Sequence, residues 1–256
     1  MNERPNRLPP GVGIVIPALN EAENLRALLP QLQVLDPAQI VIGDNGSTDG
    51  TAEVACSCGA DVATEPKRGY GAACWAAMQQ LRPDVVIVAF MDADLADDPA
   101  YLRALVEPIH HNKADLVIGW RDPHMREPGS MTTPQRFGNQ FAARLIRWGW
   151  GFPYRGLGPF RAIRRSCLDR MKMGDRAYGW TVEMQARAVE DGLVIRQLSV
   201  PYWRRGGVSK ISGTVRGVVL AGYWIIRTTA VLWWTRRSRS ASRRGAGAVA
   251  GHASSR

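Results

Sequence analysis

The sequence is poor in the features that mark secreted, disulfide-bonded or zinc-binding proteins. It contains four cysteines, and the closest two, Cys56 and Cys58, are separated by one residue, which is neither a CxxC pair nor a zinc-ligand spacing. Residues 1–13 lack the continuous apolar run of a secretory signal. We therefore expect unpaired thiols in a reducing compartment and an active site in the cytoplasm.

The C-terminal part of the chain lacks acidic residues and a full-length apolar span. Residues 236–256 contain six arginines and no acid, so they account for more than half of the formal net charge of +10. The apolar run Val218–Trp234 is interrupted by Arg227 and is shorter than the ~20 residues that a membrane span needs. We expect residues 214–235 to form an interfacial helix on a membrane or a helix packed on the domain, before a disordered basic tail.

A basic tail suits several anionic partners, which include phospholipid headgroups and nucleic acid. No nucleic-acid reading module accompanies these arginines, and we expect no nucleic-acid partner. Membrane contact would make the protein peripheral on the cytoplasmic face of the membrane. The sequence leaves the oligomeric state open.

The rest of the chain has the pattern of one α/β domain. Residues 1–10 are a polar, proline-rich lead-in, and short apolar runs then alternate with amphipathic helical segments as far as residue 120. This rhythm predicts a mostly parallel open sheet with helices on both faces over residues 11–213. We expect residues 11–120 to bind one substrate and residues 121–213, built on the same sheet, to bind the other. Asn20 and Glu23 resemble a capping box for the first helix.

Each polar motif in the first half follows directly after a predicted strand. Asn20 and Glu21 follow the first strand, the loop beginning at Asp44 follows the second, and Asp92 and Asp94 follow the fourth. Because ligands of parallel α/β sheets bind at the carboxyl ends of the strands, these motifs converge at one edge. Asp44 is suited to accept a hydrogen bond from a base or a ribose hydroxyl.

The segment MDADLADDP indicates a metal site. Two carboxylates one residue apart at a strand end, Asp92 and Asp94, can both reach one cation, and their hard oxygen atoms suit Mg²⁺ or Mn²⁺. Such a metal would neutralise a departing diphosphate as a Lewis acid. The alternative is that the acidic cluster only caps the next helix, a role that fits Asp97 or Asp98 better than the first pair.

Five segments in this order resemble family 2 glycosyltransferases, in particular the dolichyl-phosphate mannose synthase-like branch. These segments are IVIPALNEAENL, VIGDNGSTDGT, GYGAA, MDADL and DLVIGWR. The resemblance covers about residues 12–215 and implies a GT-A fold, which is Rossmann-like, and inverting, metal-dependent transfer from a nucleotide sugar. It also implies nucleoside contacts for Pro17, Asn20, Glu21 and Asp44, and binding of the metal and donor diphosphate by Asp92 and Asp94.

The resemblance extends to the second half of the chain. It implies that Arg121 and Arg136 bind an acceptor phosphate, for which guanidinium groups are well shaped; the alternative is that both are solvated surface arginines. The segment WRRGGVSKISGT resembles a donor-phosphate segment, which comprises Ser209, Lys210 and one of Arg204 and Arg205.

Glu183 lies where related enzymes place an acidic residue facing the acceptor. It is the candidate general base if the acceptor is a hydroxyl, which must lose a proton as it attacks; otherwise it is an ordinary salt-bridging residue. A phosphate acceptor is already anionic and needs positioning more than deprotonation.

These observations predict an inverting hexosyltransferase. It would move a sugar from a UDP- or GDP-sugar to a polyprenyl phosphate or another membrane-associated acceptor. Transfer to a soluble hydroxyl acceptor and binding of a nucleotide sugar with weak catalysis are the alternatives. Ala96 stands where lipid-phosphate enzymes typically have glutamine, so the acceptor cannot be copied from those relatives. A nucleotidyltransferase is disfavoured because IVIPALNEAEN lacks the glycine-rich, arginine-containing segment expected after its first strand.

Overall fold

The computed structural model describes residues 7–206 and 222–235. Its strands are β1 (Val12–Ala18), β2 (Gln39–Asp44), β3 (Asp61–Thr64), β4 (Ile87–Phe90), β5 (Leu116–Arg126), β6 (Arg161–Arg164) and β7 (Ile195–Tyr202). Its helices are α1 (Ala22–Val34), α2 (Thr51–Ser57), α3 (Tyr70–Gln79), α4 (Leu102–His110), α5 (Thr133–Trp150), α6 (Arg165–Met171), α7 (Trp180–Glu190) and α8 (222–235). A short 3₁₀ turn, Pro99–Tyr101, precedes α4.

All seven strands form one sheet in the order β3-β2-β1-β4-β6-β5-β7. The first four strands are mutually parallel, β7 is parallel to β5, and β6 is antiparallel to both of its neighbours. The predicted mostly parallel α/β sheet is confirmed. The antiparallel β6 was not predicted, because its four residues carry no periodicity that distinguishes them from the surrounding loops.

Helices cover both faces of the sheet, as predicted. One core lies between the sheet and α1, α2 and α4. The other lies between the sheet and α3, α5, α6 and α7. The middle strands contact both cores: Ile14 and Ile16 of β1 face the first, and Val15 faces the second. This two-sided burial accounts for continuous apolar runs in place of alternating ones.

The start of α1 differs from the predicted capping box. Glu21 is the N-cap residue, and its side chain makes no capping hydrogen bond. The backbone amide of Ala22 donates to the Asp49 carboxylate at 3.1 Å, and that of Glu21 donates to the Thr51 hydroxyl at 2.9 Å. The cap is therefore supplied by the loop after β2, which neighbours β1 in the sheet, and no local sequence pattern encodes it.

Helix α8 packs on the second core through one side only. Leu232 is buried there, and Ile225 and Trp233 are partly buried against the same cluster. Among the described residues, 7–206 and 222–235, no helix is long and apolar enough to span a bilayer. The predicted first part of this segment, 214–221, and the tail, 236–256, lie outside the described residues.

Candidate functional site

The carboxyl end of β4 carries three carboxylates that meet two arginines from distant parts of the chain. Arg121, at the end of the regular part of β5, lies 3.3 Å from Asp97 and 3.8 Å from Asp92. Arg205, just after β7, lies 2.9 Å from Asp94. The structure thus brings the two predicted metal ligands together with two arginines. Arg121 is one of the two arginines predicted to bind the acceptor phosphate, and Arg205 is one of the two candidates for the donor phosphates.

The Asp92 carboxylate is held from two sides in a mostly buried position. The hydroxyl of Tyr70, at the start of α3, donates to Asp92 Oδ1 at 3.1 Å, and Arg121 approaches Oδ2. Burial, followed by the negative charges of Asp94 and Asp97, raises the pKa of Asp92 to about 6 despite the two arginines. Negative charge at this position is therefore incompletely neutralised by the protein.

Arg121 is positioned to bind an anion. Its guanidinium carbon lies 3.8 Å from the centre of the Tyr202 ring, a cation–π contact that fixes the group, while Nη2 is shared between carboxylates. Its buried Nε has no hydrogen-bond partner among the described residues. Because an unsatisfied buried donor is costly, this atom is suited to a ligand oxygen.

The two candidate arginines after β7 have different environments. Arg205 donates from Nε to the Tyr202 hydroxyl at 3.0 Å and pairs with Asp94. Arg204 is largely exposed, pairs with Glu127, and donates to the Pro128 carbonyl. The arginine beside the carboxylates is thus Arg205. Ser209 and Lys210 lie outside the described residues.

The acidic cluster fits a divalent cation that completes its coordination with a ligand. Asp92 and Asp94 supply hard oxygen atoms, and within the described residues no third acid, histidine or cysteine completes a metal-binding group with them. Asp97 is engaged by Arg121, and Asp98 caps the 3₁₀ turn by accepting from the Ala100 amide. Two carboxylates plus phosphate oxygens and water are an ordinary ligand set for Mg²⁺ and Mn²⁺.

Ala96 is fully buried and takes part in packing. It forms a small apolar cluster with Met131 and Tyr202, and its carbonyl accepts from the Trp203 amide at 2.8 Å. The side chain that gives Arg121 its cation–π contact therefore rests on Ala96. This contact explains why a small apolar residue fits here, where relatives with a lipid-phosphate acceptor typically have glutamine.

The predicted nucleoside residues lie side by side at the ends of β1 and β2. Pro17 pairs with Gly43 in the sheet register, and Asp44 is buried and accepts from the Ser47 amide. Asn20, with a positive φ of 53°, accepts from the Thr48 amide through Oδ1 at 2.8 Å. The carboxylate of Glu21 accepts from the Asn24 side chain. The Asn20–Thr48 bond joins the loops after β1 and β2 into one wall.

Two residues of this region were missed by the sequence reasoning. Asn45 donates to the carbonyls of Glu65 and Lys67 and accepts from the Gly69 amide at 2.7 Å, so it fixes the approach to α3. Tyr70, which follows Gly69, is partly buried, and its hydroxyl donates to Asp92. Both lie within the segments that resemble the family. Only the fold shows that Asn45 holds the loop from which Tyr70 reaches Asp92.

Glu183 lies under the loop 174–179. Its carboxylate accepts from the amides of Gly174 and Asp175 and pairs with Arg187 at 2.7 Å, so both of its oxygens are engaged. It is almost fully buried. This geometry makes Glu183 the support of the loop, and a role as general base would require it to release these bonds.

Arg136 lies in the first turn of α5 and donates to the Met131 carbonyl at 3.2 Å. Its neighbour Arg126, at the end of β5, was missed by the sequence reasoning. Both guanidinium groups contact Met131, and burial together with the charge of Arg136 lowers the pKa of Arg126. Met131 packs on Tyr202, so this pair borders the Arg121 region.

Comparison with solved structures establishes the class of fold. Glucosyl-3-phosphoglycerate synthase from Mycobacterium tuberculosis, in complex with Mn²⁺, UDP and glucosyl-3-phosphoglycerate, is similar over 87% of this chain and 80% of that chain, with a TM-score of 0.68 and 22% identity. Mannosyl-3-phosphoglycerate synthase from Rubrobacter xylanophilus is similar over 91% and 75%, with a TM-score of 0.67 and 21% identity. The expected GT-A fold is thereby confirmed.

Sequence comparison establishes the family. The family model of glycosyl transferase family 2 matches residues 13–171, and the chain belongs to this family. A protein of Mycobacterium tuberculosis, described only as an uncharacterized glycosyltransferase, is 37% identical over 213 residues, 82% of this chain and 94% of that protein. A dolichyl-phosphate hexose transferase of Haloferax volcanii is 28% identical over 213 residues, 82% and 90% of the two chains.

Proposed function

We propose that this family 2 glycosyltransferase transfers a sugar, with inversion, from a UDP- or GDP-sugar to a polyprenyl phosphate or another membrane-associated phosphate acceptor. The observation that carries the proposal is the cluster in which Asp92 meets Arg121 and Asp94 meets Arg205. The buried Nε of Arg121 lacks a hydrogen-bond partner among the described residues. One carboxylate that would bind the metal thus lies 3.8 Å from the guanidinium group that would bind an acceptor phosphate.

The donor side follows from the loops after β1, β2 and β4. In this proposal Asp44 and the Asn20–Thr48 wall hold the nucleoside, while Asp92 and Asp94 would hold Mg²⁺ or Mn²⁺. The metal supplies Lewis-acid neutralisation of the diphosphate. Its use is supported by the Mn²⁺ and UDP complexes of the similar glucosyl-3-phosphoglycerate synthase. Arg205 is close enough to Asp94 to contact the same diphosphate.

The acceptor side follows from the guanidinium groups that line the other border of the cluster. Arg121 is fixed by Tyr202 and retains a free Nε donor, and Arg126 and Arg136 add two positive charges nearby. An anionic oxygen held by these groups needs no base to attack the anomeric carbon. Both carboxylate oxygens of Glu183 are already bonded within the protein, which agrees with a phosphate acceptor that needs no base.

A soluble acceptor is the second candidate, and the similar glucosyl-3-phosphoglycerate synthase structures favour it. A phosphorylated small metabolite would use the same arginines for its phosphate, although a hydroxyl would then attack. The two candidates share the donor site and differ only in the attacking atom and in whether the acceptor carries a lipid.

Donor turnover tests the proposal. The full chain is incubated with UDP- and GDP-sugars and either short polyprenyl phosphate or 3-phosphoglycerate, with Mn²⁺ or with chelator. We expect metal-dependent transfer to the lipid phosphate and a loss of about a hundredfold or more in Asp94→Asn. Asp98→Asn is the matched control, because asparagine retains the cap at the 3₁₀ turn.

Three outcomes would contradict the proposal in different ways. Unchanged turnover in Asp94→Asn would show that the metal site is assigned wrongly. Transfer to 3-phosphoglycerate alone would identify the soluble acceptor. Binding of a nucleotide sugar without turnover over either acceptor would indicate a binding protein with weak catalysis.

A further inference from the structure

Helices α5 and α8 lie side by side and expose large apolar side chains. The ring of Trp148 in α5 stacks on Trp233 of α8, with 6.0 Å between ring centroids. The exposed apolar side chains of the two helices are Phe137, Trp148, Tyr223, Ile226, Val231 and Trp234, and we call them the aromatic surface. Trp148 is 80% exposed and Trp234 is 73% exposed. Such extensive exposure of indole rings marks an interaction site.

The exposed residues of α8 lie on one side of the helix. Tyr223, Ile226 and Trp234 are separated by three and eight residues, which places them on a common face at 3.6 residues per turn. The opposite face carries Leu232 and Thr228, which are buried against the domain. Among the described residues, packing on the domain therefore uses one half of the helix, and the side chains of the other half are exposed.

The charged residues of α5 and α8 are all positive. Arg144 and Arg147 of α5 and Arg227 of α8 are exposed, and the residues of these two helices include no acid. Arg227 lies over the Trp224 ring, 5.0 Å from its centre. In the sequence, α8 is followed directly by residues 236–256, with six further arginines and no acid.

The acids that bond to these helices do so on their packed sides. Glu190 accepts from the indole of the buried Trp150 at 2.8 Å, and Asp175 accepts from the hydroxyl of the buried Thr228 at 2.7 Å. Neither acid therefore neutralises the exposed arginines at the aromatic surface.

We infer that the aromatic surface rests on an anionic lipid bilayer. Tryptophan and tyrosine are suited to the boundary between hydrocarbon and headgroups, and arginines beside them attract acidic headgroups. A second copy of the chain fits less well, because a two-fold contact would bring Arg144, Arg147 and Arg227 of both copies into one interface, to which α5 and α8 contribute no acid.

The surface is continuous with the acceptor side of the site, and this step rests on the proposed function. Arg136, in the first turn of α5, bonds to Met131, which packs on Tyr202 beside Arg121. The helix that begins at the acceptor border thus presents Phe137 and Trp148 to the bilayer. The enzyme would then reach an acceptor phosphate at the membrane surface while the lipid part of the acceptor stays in the bilayer.

Vesicle sedimentation tests the inference. The full chain is mixed with vesicles of phosphatidylcholine, with or without about 30% phosphatidylglycerol, and bound protein is measured. We expect binding to the anionic vesicles, weakened by high salt, and a loss of about tenfold in Trp148→Ser/Trp234→Ser. A second pair, Arg144→Gln/Arg147→Gln, removes charge without touching the core.

Val34→Ser/Val86→Ser is the matched control, because both valines are exposed and lie outside α5 and α8. Equal binding by the serine-substituted tryptophan pair and the wild type would overturn the inference and assign any binding to the tail. A dimer in light scattering that the tryptophan pair abolishes would identify a second copy as the occupant. Donor turnover is measured in parallel, so that failure of the proposed function is distinguished from failure of the surface.

Discussion

At the scale of single residues, the dominant feature is an excess of carboxylates over guanidinium groups at the end of β4. Asp92, Asp94 and Asp97 share two arginines, Arg121 and Arg205. Burial and mutual repulsion of the acids explain why the pKa of Asp92 rises to about 6. Repulsion among buried carboxylates lowers stability, and strongly shifted pKa values of this kind are typical of functional sites.

The raised pKa predicts that ionised Asp92 lowers the free energy of unfolding, by an amount that depends on pH. Because the folded-state pKa is about 6 and the ordinary value is 3.8, the folded protein binds more protons between these values. Stability is therefore lost as pH rises from about 4 to 6 and stays lower above that range. In chelator, we expect Asp92→Asn to unfold at a higher temperature than the wild type at about pH 7.5, with a smaller difference at about pH 5.

Thermal unfolding of both proteins at the two pH values checks this prediction. Asp98→Asn controls for the loss of a carboxylate in the same segment. A lower unfolding temperature for Asp92→Asn at both pH values would show that the Tyr70 and Arg121 contacts outweigh the repulsion among the acids.

At the scale of elements, the loop 174–179 precedes α7 and contacts α3, a helix about 100 residues earlier in the sequence. Its carbonyls at Arg176 and Ala177 accept from the amides of Ala72 and Gly71, and so cap the first turn of α3. A Cβ at Gly71 would lie 2.4 Å from the Asp175 carbonyl oxygen, so the glycine is required by this close approach. The loop thus supports the turn of α3 that carries Tyr70 to Asp92.

Glu183→Gln is predicted to weaken this support more than the chemistry. The substitution breaks a nearly buried ion pair with Arg187, and we expect a loss of about 2 kcal/mol, or roughly 4–8 °C in unfolding temperature. Turnover per folded molecule should stay within about threefold of the wild type if the acceptor is a phosphate.

Glu107→Gln is the matched control for Glu183→Gln. Glu107 also pairs with an arginine four residues away along a helix, Arg103, but its side chain is 41% exposed to solvent. Its loss should change stability little. A large loss of turnover in Glu183→Gln without a drop in unfolding temperature would instead support the general-base role and a hydroxyl acceptor.

At the scale of the whole molecule, the site joins two regions of one sheet. The acidic residues follow β4, whereas Arg121 and Arg205 come from β5 and β7, on the other side of the antiparallel β6. A ligand that contacts both sets of residues would therefore add to the ion pairs that already join these two parts of the chain.

This arrangement predicts cooperative stabilisation by metal and donor. At a donor concentration about a hundred times its Kd in the presence of Mn²⁺, stability should rise by about 2.7 kcal/mol, or roughly 5–10 °C in unfolding temperature. Because a metal held by Asp94 would also attract the donor diphosphate, the joint shift should exceed the sum of the separate shifts. A thermal-shift panel checks this, and purely additive shifts, or equal cooperativity in Asp94→Asn, would contradict it.

Much of the fold was predictable because its signals are local. Buried parallel strands have continuous apolar runs, and α1 repeats its leucines at helical spacing. Both patterns can be recognised in the sequence alone. The positions of Asp44, Asp92 and Asp94 at the edge of the sheet follow from the same rule, since each lies at or just beyond a strand end. The family was also indicated by short segments whose order is preserved.

The sequence by itself thus determined the α/β rhythm, the edge that holds the carboxylates and the family of the enzyme. Only the tertiary structure decided that Arg205, and not Arg204, meets Asp94, that Asp97 pairs with Arg121, and that Asp49 caps α1. It also revealed Tyr70, Arg126 and the aromatic surface. The physical reason is that ion pairs, caps and exposed faces depend on the direction of side chains far apart in sequence, and periodicity carries no information about that direction.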